Sequence, residues 1–411
     1  MNRGAEVNKI GSLEGLRGLA ALVVVNEHLL KLFFVMAFSD SAMRNGGVLG
    51  SLSFPPMNLL HNGAWAVCVF FVLSGYVLSQ SFFSKKRGDY KEILGKVVAR
   101  YFRLAVPITG SLLLVWIVMS VNGIYFGEVL GVTHSNEVDQ YVSLPLLSDL
   151  FKQGFGSALF LNDYAYNPPL WTMSVEMIAS IGIFIIHMVF LSFLNHKHAF
   201  LVRLAMYVGL VTILFPTMYT GFILGMLICD CKNNKRADIL LTKYAKIWVP
   251  LAICVGLFLC GYMIRGLYTN PYSVVTFNEF NPYHEYLYNT WGAFFLVFGI
   301  SYSKAISKLL SGSYLRALGK ISFPLYLTHY IVMSSFTSYV YLALPIDSHY
   351  YKAVIAIALS IPTMFAVAYV FEKLINEPTV VFSRRITSVF RSTFTSSPEK
   401  KEVLMQPRLN G

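Results

Sequence analysis

Charge is scarce in this 411-residue chain. Asp, Glu, Lys and Arg make up 13% of it, against about 25% in ordinary soluble domains. An ordinary soluble protein is excluded unless the apolar residues are dispersed, and they are gathered into runs. Cysteine is sparse too, at five residues: Cys68, Cys229, Cys231, Cys254 and Cys260. None has zinc or thioredoxin spacing, since Cys229-x-Cys231 is one residue too short, so buried free thiols are expected. No internal repeat is present, nor inverted halves of the transporter kind. A cleavable signal peptide is not expected, because the first apolar run is long enough to stay as a span.

What is present is apolar. Hydrophobic residues make up 55% of the chain, and the mean hydropathy is +0.57. A membrane span needs about 20 mostly apolar residues. Ten stretches qualify, near 14–36, 64–83, 104–122, 172–194, 200–215, 217–231, 247–264, 287–303, 321–342 and 352–373. The fifth and sixth are short and poorly separated. The fold class is therefore all-α, a polytopic transmembrane helical bundle of about ten spans.

The net charge of +12 sits in short loops, where it sets orientation in a lipid bilayer and does not signal nucleic acid. Alternate loops are basic: 85–103, 196–203, 231–246, 303–320, and the tail with Arg384, Arg385, Lys400 and Lys401. The loops at 123–170 and 265–286 carry few basic residues. This alternation predicts a multi-pass protein with both termini cytoplasmic. Residues 1–12 form a short N-terminal segment, 13–378 the membrane domain and 379–411 a cytoplasmic tail. From about Thr387 that tail is rich in Ser, Thr, Lys and Pro, and disorder is expected there. Within the long 123–170 loop, Leu147, Leu150, Phe151 and Gly154 recur at helical intervals. A helix on the membrane surface or over a cavity is expected.

The first run, LEGLRGLAALVVVNEHLL (13–30), carries Arg17, Glu27 and His28, which are costly in lipid. Arg17 and His28 are eleven positions apart, about three helical turns, so they share a face with a rise of about 16 Å between them. One face thus offers a cation at the cytoplasmic mouth and a titratable base near mid-membrane. The structural alternatives are a snorkelling Arg17 paired with Glu14 and a hydrogen-bonded core histidine. Glu27 points elsewhere and has no assigned role. In ARYFRLAVP, Arg100 and Arg103 stand at i, i+3 and, with Arg17, could form a mouth for an anion such as phosphate. The alternative is inside-positive anchoring.

Further polar groups sit at depth. Ser74 lies mid-span beside Gly75, which permits close helix contact, and its bland reading is a helix-packing serine. LWTMSVEM brings Trp171, Ser174 and Glu176 to the start of the fourth span. Trp171 reads as an interface anchor, and Glu176 needs a partner that a structural ion pair would supply. His329 lies about 13 Å in from Lys320, at a depth similar to His28, and its alternative is again a satisfied core histidine. Glu377 before Pro378 reads as the end of the tenth span.

In this order the stretches resemble the acyltransferase 3 family of membrane-bound O-acyltransferases. LEGLRGLAALVVVNEH is similar to its first helix, in which Arg and His are separated by ten residues, as Arg17 and His28 are here. FFVLSGYVLS resembles its second helix and RYFRLAVP its RRxxR-Pro stretch. LWTMSVEM resembles its W-S-L-S-V-E segment, ISFPLYLTH its S-Y-P-L-Y-L-x-H helix, and NEP its closing E-x-P. The resemblance runs from about residue 12 to 378. Glu14 stands where Asp is commoner and Ala99 where the first Arg of RRxxR would be. NEP lacks one residue of E-x-P.

The resemblance implies about ten helices, a cytoplasmic acyl-CoA donor, with acetyl-CoA expected, and a hydroxyl acceptor. Such acceptors are sugars, polysaccharides or small natural products, and a stand-alone enzyme of secondary metabolism is the favoured setting. Acyl-CoA is a co-substrate, and no tightly bound cofactor or metal is expected. Arg17, Arg100 and Arg103 would bind the donor's phosphates, and His28 would act as general base or as first acceptor in an acyl-histidine relay. Glu176 or His329 would orient His28 or the acceptor. Ser74, Trp171, Ser174 and His329 would line the substrate path. The rivals are a transporter, for which buried charges are equally expected, and a non-catalytic scaffold.

Overall fold

The computed structural model describes residues 3–35, 57–85, 90–193, 198–262 and 283–395. Among the described residues every regular element is helical. Ten long helices stand on the ten apolar stretches. They are α1 (Arg3–Phe33), α2 (Gly63–Lys85), α3 (Tyr90–Ser120), α4 (Trp171–Leu191), α5 (Ala199–Leu214), α6 (Tyr219–Asn233), α7 (Ala245–Cys260), α8 (Tyr283–Tyr302), α9 (Ser313–Val332) and α10 (His349–Phe371). The loop segment 265–282, residues 86–89 and 196–197, and Lys400 and Lys401 lie outside the described residues.

Fewer than ten helices meet a strict test for crossing a bilayer. By length and composition α2, α3, α4 and the α10 rod do so alone. Two bent pairs, α7 with Lys235–Lys243 and α8 with Lys304–Leu310, bring the number to six. The reasons are local. α5 and α6 have 16 and 15 residues, roughly 23 Å of rise against a hydrocarbon core of about 30 Å. α1 carries Glu14, Arg17, Glu27 and Lys31 along its length.

Glycines allow two close helix crossings. A Cβ on Gly75 of α2 would lie 2.0 Å from the Phe222 carbonyl oxygen of α6, and one on Gly319 of α9 would lie 2.1 Å from the Glu14 carbonyl oxygen of α1. Small residues let backbones touch where apolar surface gives no driving force. The α1–α9 crossing positions the chemistry described below.

The two ends of the bundle differ. The basic segments after α6 and α8 fold into short helices, Lys235–Lys243 and Lys304–Leu310, bent 85° and 99° from α7 and α8. Lys232 Nζ sits 3.1 Å over the Tyr302 ring at the end of α8. Gly15 of α1 packs against the Leu310 carbonyl. The Lys304–Leu310 helix therefore packs against the first half of α1. The first part of the 123–170 loop packs at the other end, where the Ser135 hydroxyl donates to the Lys31 carbonyl at 2.8 Å and the Tyr125 amide to the Ser334 carbonyl at 3.0 Å. Its later part runs back along α3 to Tyr101, whose hydroxyl donates to the Phe155 carbonyl at 2.7 Å.

Part of that loop is helical, as its spacing predicts, over Leu147–Lys152, a π turn at Gln153–Ser157 and Ala158–Phe160. Leu150 and Gly154 are buried against the bundle, and Leu147 and Phe151 are exposed. The chain does not stop at Glu377-Pro378. A π turn at Glu372–Asn376 leads into a further helix, Glu377–Thr395, which packs along α3. Proline is tolerated in the first turn of a helix, and the widened turn before it relieves the carbonyls its ring would meet. The expected disorder from Thr387 is thus corrected as far as Thr395. None of the five cysteines is in a disulfide. Cys68, Cys229 and Cys260 are buried, whereas Cys254 is exposed.

Candidate active site

α1 presents Arg17 to a cleft between α1, α2, α3, α4 and α9. Arg100 and Arg103, one turn apart on α3, face the same space, as their i, i+3 spacing requires. α2 adds Ser74, α4 adds Thr172 and Glu176, and α9 adds Phe323 and Tyr326. Three guanidinium groups thus meet a single carboxylate among the lining side chains. That carboxylate is engaged: Ser74 Oγ donates to Glu176 Oε1 at 2.8 Å, and Arg100 Nη2 donates to Glu176 Oε2. Arg100 Nε donates to Ser180 Oγ at 2.9 Å. Arg103 Nη1 donates to Asn376 Oδ1. Arg17 makes no hydrogen bond or ion pair among the described residues, and it opens onto the cleft. The excess of positive charge and the forked donors suit a phosphate-bearing ligand.

Three turns further along α1, about 16 Å, is a second constellation. His28 Nδ1 lies 3.4 Å from Glu137 Oε1, and the Tyr330 hydroxyl donates to Glu137 Oε2 at 3.1 Å. A carboxylate can only accept, so Nδ1 carries the proton and a neutral His28 keeps a bare lone pair on Nε2. Among the described residues Nε2 has no partner. Glu137 reaches His28 because Ser135 ties the loop to the end of α1, and the Glu137 amide donates to Ser135 Oγ at 3.2 Å. Burial would raise the Glu137 carboxyl. Hydrogen bonding and charge from His28, with Lys31 and Tyr330, outweigh burial and hold it at about 2. Glu137, Tyr330, Lys31 and Asn136 line a second cleft.

α9 joins the two constellations. Tyr326 lines the arginine cleft, and its hydroxyl donates to the Pro169 carbonyl at 3.0 Å. One turn on, His329 is fully buried with its ring centroid 5.3 Å from that of His28. Its Nδ1 lies 3.0 Å from the Leu325 carbonyl, an acceptor only, so Nδ1 donates. Its Nε2 is buried and has no partner among the described residues. Tyr330 then reaches Glu137.

The residues read from sequence therefore fall into three groups. Arg17, Arg100, Arg103, Ser74 and Glu176 converge on the cleft. His28 and His329 stand together at the second constellation. Trp171 and Ser174 line neither space. The Ser174 hydroxyl donates to Asn162 Oδ1 at 3.1 Å, fastening a loop, and the Trp171 ring packs edge-on to Tyr286. Glu176 is not a partner of His28, as its sequence reading allowed. Its carboxylate is engaged by Ser74 and Arg100 instead. Glu27 pairs with Lys31 of its own helix at 2.8 Å. Glu137 escaped the sequence reading because a loop residue has no periodicity to point it at a helix face. Among the described residues no group of three or more His, Cys, Asp or Glu could hold a metal.

Long apolar helices around a buried polar site mark a membrane protein. Residues 10–373 match the acyltransferase 3 family model, an acyltransferase domain, and the chain belongs to that family. No curated protein and no solved structure matches it. Membership makes the chain an acyltransferase.

Proposed function

We propose that the chain transfers an acyl group, acetyl in the simplest case, from acyl-CoA to a hydroxyl of a sugar, natural product or other small acceptor. One observation carries this reading. His28 has Nδ1 held by Glu137 and Nε2 open, on the same helix face that turns Arg17 into a cationic cleft. Acyl-CoA enters from the cytoplasmic side, where both termini lie, with its phosphates in the arginine cleft and its pantetheine arm along α1 towards His28. As the acceptor oxygen attacks the thioester carbonyl, His28 Nε2 takes its proton. An alcohol is a poor nucleophile until that proton leaves. The imidazolium is stabilised by the Glu137 carboxylate. When the carbon–sulfur bond breaks, the thiolate of CoA recovers the proton from His28.

The test is CoA release by membranes carrying the wild-type chain or His28→Ala, with acetyl-CoA and longer donors and an extract of candidate acceptors. Acceptor-dependent release should fall by about 10³-fold in the variant, at equal protein level and with CoA binding retained. Wild-type protein that neither releases nor binds CoA would sink the donor assignment.

A further inference from the structure

The three arginines of the cleft are not equivalent. Arg100 is closed off: its Nη2 donates to the Glu176 carboxylate and its Nε to Ser180 at 2.9 Å. Arg17 has no partner among the described residues. Arg103 is the intermediate case. Its Nη1 donates to Asn376 Oδ1, and Asn376 Nδ2 donates to Glu372 Oε2. Glu372 and Asn376 are the first and last residues of the π turn between α10 and the final helix, and both are buried, at 4% and 3% exposure. The amide orientation is not ambiguous. A guanidinium only donates and a carboxylate only accepts, so the oxygen must face Arg103 and the nitrogen Glu372.

An asparagine therefore stands between a cation and an anion that would otherwise pair directly. It fixes the direction of the Arg103 fork without neutralising it. The Phe323 ring, 5.7 Å from the Arg103 guanidinium carbon, adds a second non-ionic support. The widened π turn is what carries this asparagine, in keeping with the frequent placement of such turns at functional sites.

We propose that Asn376 is a positioning residue that presents Arg103, together with Arg17, as the open half of an anion site for a phosphate group, while Arg100 holds Glu176 in place. The inference rests on the reading of this cleft as the acyl-CoA phosphate site. It separates two arginines that meet the ligand from one that does not.

The experiment uses the purified full chain in lipid nanodiscs with CoA as probe. Two variants are compared with wild type. Asn376→Asp puts a carboxylate directly on Arg103. Asn376→Asp combined with Glu372→Gln moves that carboxylate from 372 to 376, so the net charge and nearly the whole volume are those of wild type. Both should weaken CoA binding by about tenfold, because one of two open cations is paired at contact distance. In turnover, KM for acyl-CoA should rise by the same factor with kcat at saturating donor unchanged, a split that general misfolding does not produce.

Recovery of wild-type affinity, within threefold, in the double variant would overturn the proposal, since net charge alone would then decide binding. If Asn376→Asp alone fails to fold, the charge-neutral double variant decides. If wild-type protein does not bind CoA, the donor assignment fails. Inorganic pyrophosphate, which needs only the guanidinium groups, then tests Asn376 by the same comparison. Equal pyrophosphate binding by wild type and double variant, or none by either, would overturn the proposal too.

Discussion

His28 has two ring nitrogens, and Glu137 occupies one of them. In Glu137→Gln the side-chain amide can donate to Nδ1, which then becomes the acceptor and sends the ring proton to Nε2. The imidazole would be in place but in the wrong tautomer for a base. We expect kcat to fall by about 10²-fold or more with KM for acyl-CoA unchanged, because the arginine cleft proposed to hold the donor's phosphates lies three turns away. Steady-state kinetics with varied donor would show this, and a kcat within threefold of wild type would defeat the orienting role. Glu137 also sets a pH dependence. Its carboxyl lies near 2 in the folded chain against an ordinary 4.5. The ionised group therefore contributes stability above pH 4.5, and that contribution is lost as pH falls towards 2. Glu137→Gln should thus unfold at lower temperature than wild type at pH 7, with the gap narrowing between pH 4.5 and 2. Thermal unfolding in detergent across that range would check it, and a gap that widened on acidification would contradict the pairing.

At the scale of elements, one crossing controls both constellations. α1 carries Arg17 and His28, and α9 carries Ser322, Tyr326, His329 and Tyr330. They touch where Gly18 and Gly319 leave no room for a Cβ, which would lie 2.7 Å from the Gly319 amide nitrogen at the first and 2.1 Å from the Glu14 carbonyl oxygen at the second. Gly319→Ala must push the helices apart, at a cost of about 1–3 kcal/mol. It should lower the unfolding temperature and raise KM for acyl-CoA together. Gly182 of α4, with nothing within 4 Å of its would-be Cβ, supplies the control, and Gly182→Ala should change neither. Equal behaviour of the two variants would remove the crossing from the account. Much of this element was legible in advance. The eleven-residue spacing put Arg17 and His28 on one face, and both do face α9. Gly75 read as a close-contact glycine and is one. The continuation through Pro378 was not legible, because a π turn leaves no periodic signature and Pro ordinarily marks a boundary. Glu137 was hidden for a related reason: its position depends on how a loop is pinned by Ser135, which is a tertiary fact.

Across the whole molecule, the loop charges and the packing give the same polarity. Lys304 and Lys308 stand on a short helix packed beside the first half of α1, and Lys235 and Arg236 on a second short helix bent 85° from α7. Glu137 stands on the long loop at the opposite end, beside His28. The charge pattern was readable because basic residues are retained on one side of a bilayer. The number of crossings was less readable, because α1 and α9 are too polar and α5 and α6 too short to qualify. Orientation decides whether the donor can reach the arginines from the cytoplasm, so it is the property to test. With the five native cysteines replaced, Asp238→Cys at the basic end and Val142→Cys, whose side chain is 86% exposed on the loop, would be labelled with an impermeant maleimide in sealed vesicles of known sidedness. Asp238→Cys should react only from the cytoplasmic face and Val142→Cys only from the other. Reaction of both from one face would mean that the bundle does not separate the two clefts across the bilayer. Reaction from opposite faces in the reverse sense would turn the arginine cleft away from the cytoplasmic acyl-CoA pool, and the donor would then have to enter beside Glu137, a site with no arginine to receive its phosphates.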